Sequence, residues 1–406
     1  MIDIAQKLRG VDWDFSDYSS VKYPFDLNSI PWYPATFTPP IPKFLIASLT
    51  KPGDVVLDPF GGSGTTIVEA LKSNRLPIYN DLNPFAADIV KAILSAIRYA
   101  IYDCQYLTKE TEQKKVEDSC SQKTAANEFI DANGINKDVN EWFHEDTLAE
   151  LLGIYKLIQE DTAPEYNNDI KTIRKFAFSS ILKSASSQPG HFTYITDNCK
   201  PKNKTYKNAI SLYVEKIEQI CLAAKDMLIQ FRLAHPQADL LSLVDNTRVK
   251  DGDARDLSWI EDQSVDLVLT SPPYLCAQDY IKTMRLTNLF FTNDDAFINK
   301  PHNEIGSRKQ RKGKPDVVVP EFYQDLRQVF THVDRVLKPA GYFCLVMGQG
   351  KSKITTGVDT ISDLCGMVEK DFGFEKIFHE KRNIVNREIR IGGVDKEDII
   401  IFQKKR

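Results

Sequence analysis

The stretch 54–81, DVVLDPFGGSGTTIVEALKSNRLPIYND, constrains this chain more than any other. It opens on a short apolar run, VVL, suited to a buried strand. The glycines of GGSG permit positive φ and let backbone approach a ligand closely. TTIVEALKSN spaces its apolar residues as a helix does, and LPIYND returns to a strand. Strand, loop, helix and strand in this order predict a βαβ unit and a parallel sheet.

The same rhythm resumes near Asp251. VDLVLTSPPY reads as a buried strand, EFYQDLRQVFTHVDRVLKPAG as a helix ended by Pro339–Gly341, and YFCLVMG as another strand. FEKIFHEKRNIV and EDIIIFQKK are two further strands, close enough in sequence to pair as an antiparallel hairpin. Between the two α/β stretches the strands stop. DTLAELLGIYKLIQ, IKTIRKFAFSSILKSAS and AISLYVEKIEQICLAAKDMLIQFRLA read as helices, with 108–123 and 188–207 as polar interruptions. Ahead of everything, Pro24, Pro31, Pro34, Pro39 and Pro40 forbid long helices and predict an extended arm. A short amphipathic helix over Ile41–Leu49 follows it. The expected fold is therefore α/β with a mostly parallel sheet and a C-terminal antiparallel hairpin. Residues 1–87 and 249–406 form its α/β domain, and 88–248 a large helical insertion.

Composition narrows the partners. The 52 Lys and Arg stand against 56 Asp and Glu, a net charge of −4, whereas a protein that coats nucleic acid by bulk charge is strongly basic. Any nucleic-acid contact must then use a local patch. The seven cysteines form no CxxC pair and are odd in number, which fits a reducing cytosol better than a zinc site or a disulfide framework. The six histidines are dispersed, without ligand spacing, so no metal is expected. MIDIAQKLRGVDWDF lacks the apolar core of a signal peptide, and no run approaches the ~18 apolar residues of a membrane span. The expected location is cytoplasmic, with no membrane contact.

Two motifs carry chemistry. DPFGGSGTT, Asp58–Thr66, matches neither G-x-x-x-x-G-K-[ST] nor G-x-G-x-x-G, so phosphate cradling is disfavoured. With Asp58 ahead of it, the loop suits a cationic ligand; a plain strand-to-helix turn is the competing reading. The next strand ends at Asp81, where doubly wound folds hold a ribose diol. Capping the helix that begins near Pro84 is its alternative role. The second motif, TSPPY, joins the Ser271 hydroxyl to Pro272 and Pro273, which remove two N–H donors and leave carbonyls to face a ligand. Tyr274 offers a flat face for a base.

Together DPFGGSGTT, NDLNP, GDARDL and TSPPY resemble the amino-group DNA methyltransferases, which use S-adenosylmethionine and have a Rossmann-like fold. The resemblance covers roughly 12–100 and 250–406. It implies that Asp58, Pro59, Phe60, Gly62, Gly64 and Thr65 wrap the methionine end of the cofactor, that Asp81 and Leu82 hold its ribose, and that Asp253 and Ala254 meet its adenine. YPATFTPPIPKFLI resembles the family's remaining cofactor motif, bringing in Tyr33 and Phe37. Ser271, Pro272, Pro273 and Tyr274 become the catalytic set. It further implies double-stranded DNA as substrate, with a cognate restriction endonuclease as a partner.

The chemistry agrees. An exocyclic base amine is a weak nucleophile because its lone pair is conjugated into the ring. Acceptors on its two hydrogens favour a pyramidal nitrogen, and Ser271 and the Pro272 carbonyl can supply them. The base must first leave the duplex, where Tyr274 can stack on it. A 5-carbon cytosine methyltransferase would need a Pro-Cys nucleophile, and none of the cysteines follows a proline. In the family, SPPY is commoner among cytosine-N4 enzymes, whereas cofactor motifs placed first and an insertion before TSPPY typify an adenine-N6 class. Ser271 makes cytosine N4 the leading reading; adenine N6, an RNA base substrate and a non-catalytic DNA-binding scaffold are the alternatives. For DNA contact the sequence offers KPHNEIGSRKQRKGKP, with Arg308, Lys309, Arg311 and Lys312, and the 188–207 stretch, where lysines alternate with aromatics.

Overall fold

A computed structural model of the chain describes residues 4–18, 25–30, 33, 36–103, 105–121, 126–161, 167–188, 200–276, 280–292, 304–307, 314–349, 357–384 and 394–405. Seven strands form one sheet: β1 (Val55–Asp58), β2 (Leu76–Asp81), β3 (Arg248–Asp251), β4 (Val265–Thr270), β5 (Leu337–Met347), β6 (Glu375–Asn383) and β7 (Lys396–Gln403). Their order is β3-β2-β1-β4-β5-β7-β6. The first five run parallel; β7 is antiparallel to both β5 and β6. This is the expected Rossmann-like α/β sheet with its C-terminal hairpin.

Burial on both faces explains why these segments are strands. Val56, Leu267, Leu269, Cys344, Val346, Ile399 and Ile401 face one core. Their alternates Leu57, Val268, Phe343, Leu345, Ile400 and Phe402 face another. The helix Pro40–Leu49 covers the first face with Ile41, Leu45 and Ile46, and the helix Pro315–Val336 covers the second with Phe322, Leu326 and Phe330. The described start of the N-terminal arm, residues 4–18, begins with a short helix, Ile4–Leu8, and packs against the domain. Trp13 is buried between Phe44 and Phe378, with ring centroids 5.4 and 5.9 Å away, and Asp14 accepts a 2.6 Å bond from the Asn383 amide.

Three sequence expectations change. The helix read as running to Pro339–Gly341 ends at Val336, because β5 begins at once with Leu337 opposite Val265. The Lys338–Gly341 stretch lies inside that strand at a register irregularity, with Ala340 at φ 63°. RVKD, too polar to announce itself, is the edge strand β3, paired in register with β2 from Ile78↔Arg248 to Asp81↔Asp251. Finally, most of 108–123 is a helix, Lys109–Ser121. Its inward face buries a charge beside the apolar Val116. Glu112, fully buried, takes Arg174 Nε at 2.9 Å and Nη2 at 2.5 Å, and Tyr213 Oη at 3.2 Å.

The helix Pro84–Ile101 packs on the sheet beside Thr65–Lys72 and, in the same apolar cluster, against Glu145–Glu160, Asn167–Ala185 and Ala209–Ala234. The boundary expected after residue 87 thus falls within a helix that both parts share. No described helix is long and apolar enough to cross a membrane.

Candidate active site

β1 and β4 are neighbours at the centre of the sheet, where the strand order reverses, and such a switch point opens a crevice beyond the carboxyl ends of the strands. Both motifs begin there. Asp58, at the end of β1, accepts from Thr270 Oγ1 at 2.7 Å, Thr66 Oγ1 at 2.6 Å and the Phe60 amide at 3.1 Å. Burial pushes its carboxyl up to about 6, against the pull of those donors.

The glycine loop folds over this carboxylate. Gly62 has φ +49°, and a Cβ there would lie 3.3 Å from the Tyr33 ring, so backbone and aromatic face approach closely. Its amide donates to Asp81 Oδ2 at 2.9 Å. Gly64 opens the following helix at φ +84°, pressed on Val90.

Asp81 does not cap the helix after β2. Asn83 does so, accepting from the Phe85 amide, while Asp81 Oδ1 accepts from Asn83 N at 2.8 Å. Burial raises the Asp81 carboxyl to about 6 as well. Asp253, two residues past β3, is gripped by Arg255, with Nη2 to Oδ2 at 2.6 Å, and Arg255 is held in turn by Asp325 at 2.8 Å. On the opposite wall Tyr274 Oη donates to Glu397 Oε1 at 3.0 Å and lies 3.5 Å from Ser271 Oγ.

One cleft of about 1270 Å³, counting its open mouth, brings most of the expected residues together. Tyr33, Phe37, Asp58, Phe60, Gly62, Thr65, Asp81, Leu82, Asp253, Ala254, Ser271, Pro273 and Tyr274 line it; Pro59, Gly64 and Pro272 are not among its lining residues. Thr36, Thr38, Tyr280, Glu304, Ile305, Val394 and Glu397 also line it. Nothing in the motifs announces Glu397, which strand pairing alone brings to the site. Tyr280 lies within SPPYLCAQDYIKTMRL, and its ring stacks over Tyr33 at 6.5 Å and 15°.

The lining includes five carboxylates (Asp58, Asp81, Asp253, Glu304 and Glu397) and no Lys or Arg among the described residues. Arg255 and Arg382 answer Asp253 and Glu397 from behind the wall. Among the described residues, Asp58 and Asp81 have no such cation.

The DNA-contact expectations fare differently. Arg308, Lys309, Arg311 and Lys312 lie outside the described residues, as do Phe192 and Tyr194; the near end of that basic loop, Glu304 and Ile305, reaches the cleft. Lysines of the 188–207 stretch bind the chain itself. Lys200 pairs with Glu141, Lys204 donates to Asn140 O, and Lys207 donates to the Ser184 and Ser186 carbonyls at the end of a helix. The only grouping with ligand geometry among the described residues, His144, Glu145 and Asp146, is partly exposed and far from these motifs in sequence; His144 caps a helix there.

Residues 5–92, which span the arm, the glycine loop and Asp81, match the family model described as DNA methylase. The chain is similar to DNA methylases. It is 24% identical to the type II methyltransferase M.MvaI of Kocuria varians, over 81% of this chain and 78% of that protein. It is 32% identical to the type II methyltransferase M.MjaI of Methanocaldococcus jannaschii over 117 residues, 28% of this chain. That match spans 36% of M.MjaI, about a third of its length. Among solved structures, a SAM-dependent methyltransferase from Methanosarcina mazei aligns over 89% of this chain and 97% of its own, at 13% identity and a TM-score of 0.31, too loose to argue from.

Proposed function

We propose that this protein is a DNA amino-methyltransferase that moves a methyl group from S-adenosylmethionine to the N4 amine of a flipped-out cytosine. The observation that carries the reading is the charge of the cleft. A wall of carboxylates without Lys or Arg among the described residues, below a glycine loop, repels phosphates and suits a ligand bearing cations and a diol.

S-adenosylmethionine, when bound, supplies an electrophilic sulfonium methyl. The chain does the rest. Asp81, fixed by two backbone amides, has acceptor capacity for the ribose hydroxyls; Asp58 and Phe60 would hold the methionine end, and Asp253, set by Arg255, would meet the adenine. Tyr33 closes over Gly62. The cleft is open at its mouth and carries Ser271 and Tyr274 beside the glycine-loop residues, so a base can enter next to the cofactor. Tyr274 stacks on that base. Ser271 accepts from its amine, so that the nitrogen lone pair leaves the ring π-system and points at the methyl carbon; as the N–C bond forms the C–S bond breaks with its electron pair left on sulfur, and the amine gives up one proton to water.

Cytosine N4 is chosen over adenine N6 because Ser, in place of Asp or Asn, precedes PPY. The basic loop 308–312 holds the phosphates, and the helical insertion contributes to target recognition. A cognate restriction endonuclease and a cytoplasmic location belong to the same reading. Nucleoside analysis of DNA incubated with the protein and S-adenosylmethionine tests it directly.

A further inference from the structure

We propose that Glu397, on the C-terminal hairpin, is a positioning residue that holds the Tyr274 ring in the plane where a target base stacks. The inference rests on the methyltransferase reading above and adds to it a residue that no motif contains. Tyr274 Oη donates to Glu397 Oε1 at 3.0 Å, and Arg382 Nη1 donates to Glu397 Oε2 at 2.7 Å. Glu397 is 6% exposed and Arg382 2%, so both charges are held away from bulk water, where hydrogen bonds to ions are strongest.

Arg382 is anchored in its turn. Its Nε donates to the Trp13 carbonyl at 2.9 Å, and Nη1 lies 3.4 Å from Thr38 Oγ1, another lining residue of the cleft. The carboxylate that meets the tyrosine is therefore fixed by the arm and the hairpin together. One edge of the ring is fitted as well: a Cβ on Gly348 would lie 3.2 Å from Tyr274 Cε2. A phenol gripped at its hydroxyl and fitted along one edge cannot swing without breaking a bond to a buried carboxylate. Stacking requires a defined ring plane, and small misplacement at a reacting centre is costly in rate. A residue that served only to neutralise Arg382 would have no need to reach the cleft with its other oxygen.

The test compares the full-length wild-type chain with Tyr274→Phe, Glu397→Gln and the double variant. Methyl transfer from tritiated S-adenosylmethionine to unmethylated genomic DNA gives kcat and KM. Equilibrium dialysis gives the cofactor Kd, and melting checks the fold. Each single change is expected to lower kcat about tenfold, the worth of one hydrogen bond to a charged group, with cofactor Kd within about twofold. The double variant should be no slower than the slower single, since Glu397→Gln removes the charge from the same bond that Tyr274→Phe removes outright. Multiplying losses, or full activity in Tyr274→Phe, would overturn the proposal while leaving the methyltransferase reading intact. A wild-type chain that transfers no methyl group to DNA overturns that reading, and this proposal with it.

Discussion

The Thr270 hydroxyl donates to the Asp58 carboxylate at 2.7 Å, joining residues 212 positions apart in the chain. Each is the last residue of its strand, β1 or β4, and each stands at the head of one motif. The bond registers the glycine loop against TSPPY, and so fixes one side of the cleft relative to the other.

Asp58 and Asp81 make the site pH-sensitive. Both carboxyls rise from 3.8 to about 6 in the folded chain. The folded state therefore holds these protons more tightly, and ionising each group costs stability as pH rises from 3.8 to about 6, up to roughly 3 kcal/mol for a two-unit shift. Asp58→Asn abolishes that cost at its position. Its melting temperature relative to wild type should climb between about pH 4 and 6.5 and then level off. A difference flat with pH would show that Asp58 does not titrate there. Cofactor binding should run the other way, strengthening as pH rises through about 6, because the ionised carboxylates recognise the cation and the diol.

Asp81→Ala removes the acceptor of the Gly62 amide and the expected ribose partner at once. The S-adenosylmethionine Kd should rise about tenfold or more, as removing hydrogen bonds to a charged group implies. Equilibrium dialysis measures it, and an unchanged Kd would remove Asp81 from the cofactor site.

Glu112→Ala takes from Arg174, whose side chain is 2% exposed, one of its two carboxylates and leaves it Asp161 alone. Removing one partner of a buried pair costs about 3–5 kcal/mol when the other is left alone; with Asp161 still on Arg174 the loss read by urea unfolding should fall below that, and replacing both Glu112 and Arg174 by apolar residues of similar size should be milder still. Equal destabilisation in Glu112→Ala and in the Glu112→Leu/Arg174→Met double variant would argue against this pair as the origin of the effect.

Neutralising Arg308, Lys309, Arg311 and Lys312 together should weaken DNA binding. The slope of log K against log salt should become shallower by about 0.9 for every phosphate that these side chains neutralise in the wild-type complex. Fluorescence anisotropy across a salt series reads this. An unmoved slope would place the DNA-binding surface elsewhere.

The sheet was legible because its strands are apolar on both faces and its helices periodic, so Val55–Asp58, Leu76–Asp81 and Val265–Thr270 stand out as strings. The two motifs were legible because glycines, prolines and carboxylates at strand ends have few other uses. What escaped depends on partners distant in sequence. The Lys109–Ser121 helix buries an ion pair that no hydrophobic period signals, and RVKD is a strand only because β2 lies beside it. Glu397 belongs to the site through the register of β7, and Lys200 and Lys207 look like DNA ligands until Glu141 and the helix-end carbonyls occupy them.

The most direct measurement is mass spectrometry of nucleosides from unmethylated DNA incubated with the protein and S-adenosylmethionine. N4-methylcytosine is the expected product. N6-methyladenine would contradict the base assigned from Ser271, and DNA that gains no methyl group would contradict the amino-methyltransferase function itself.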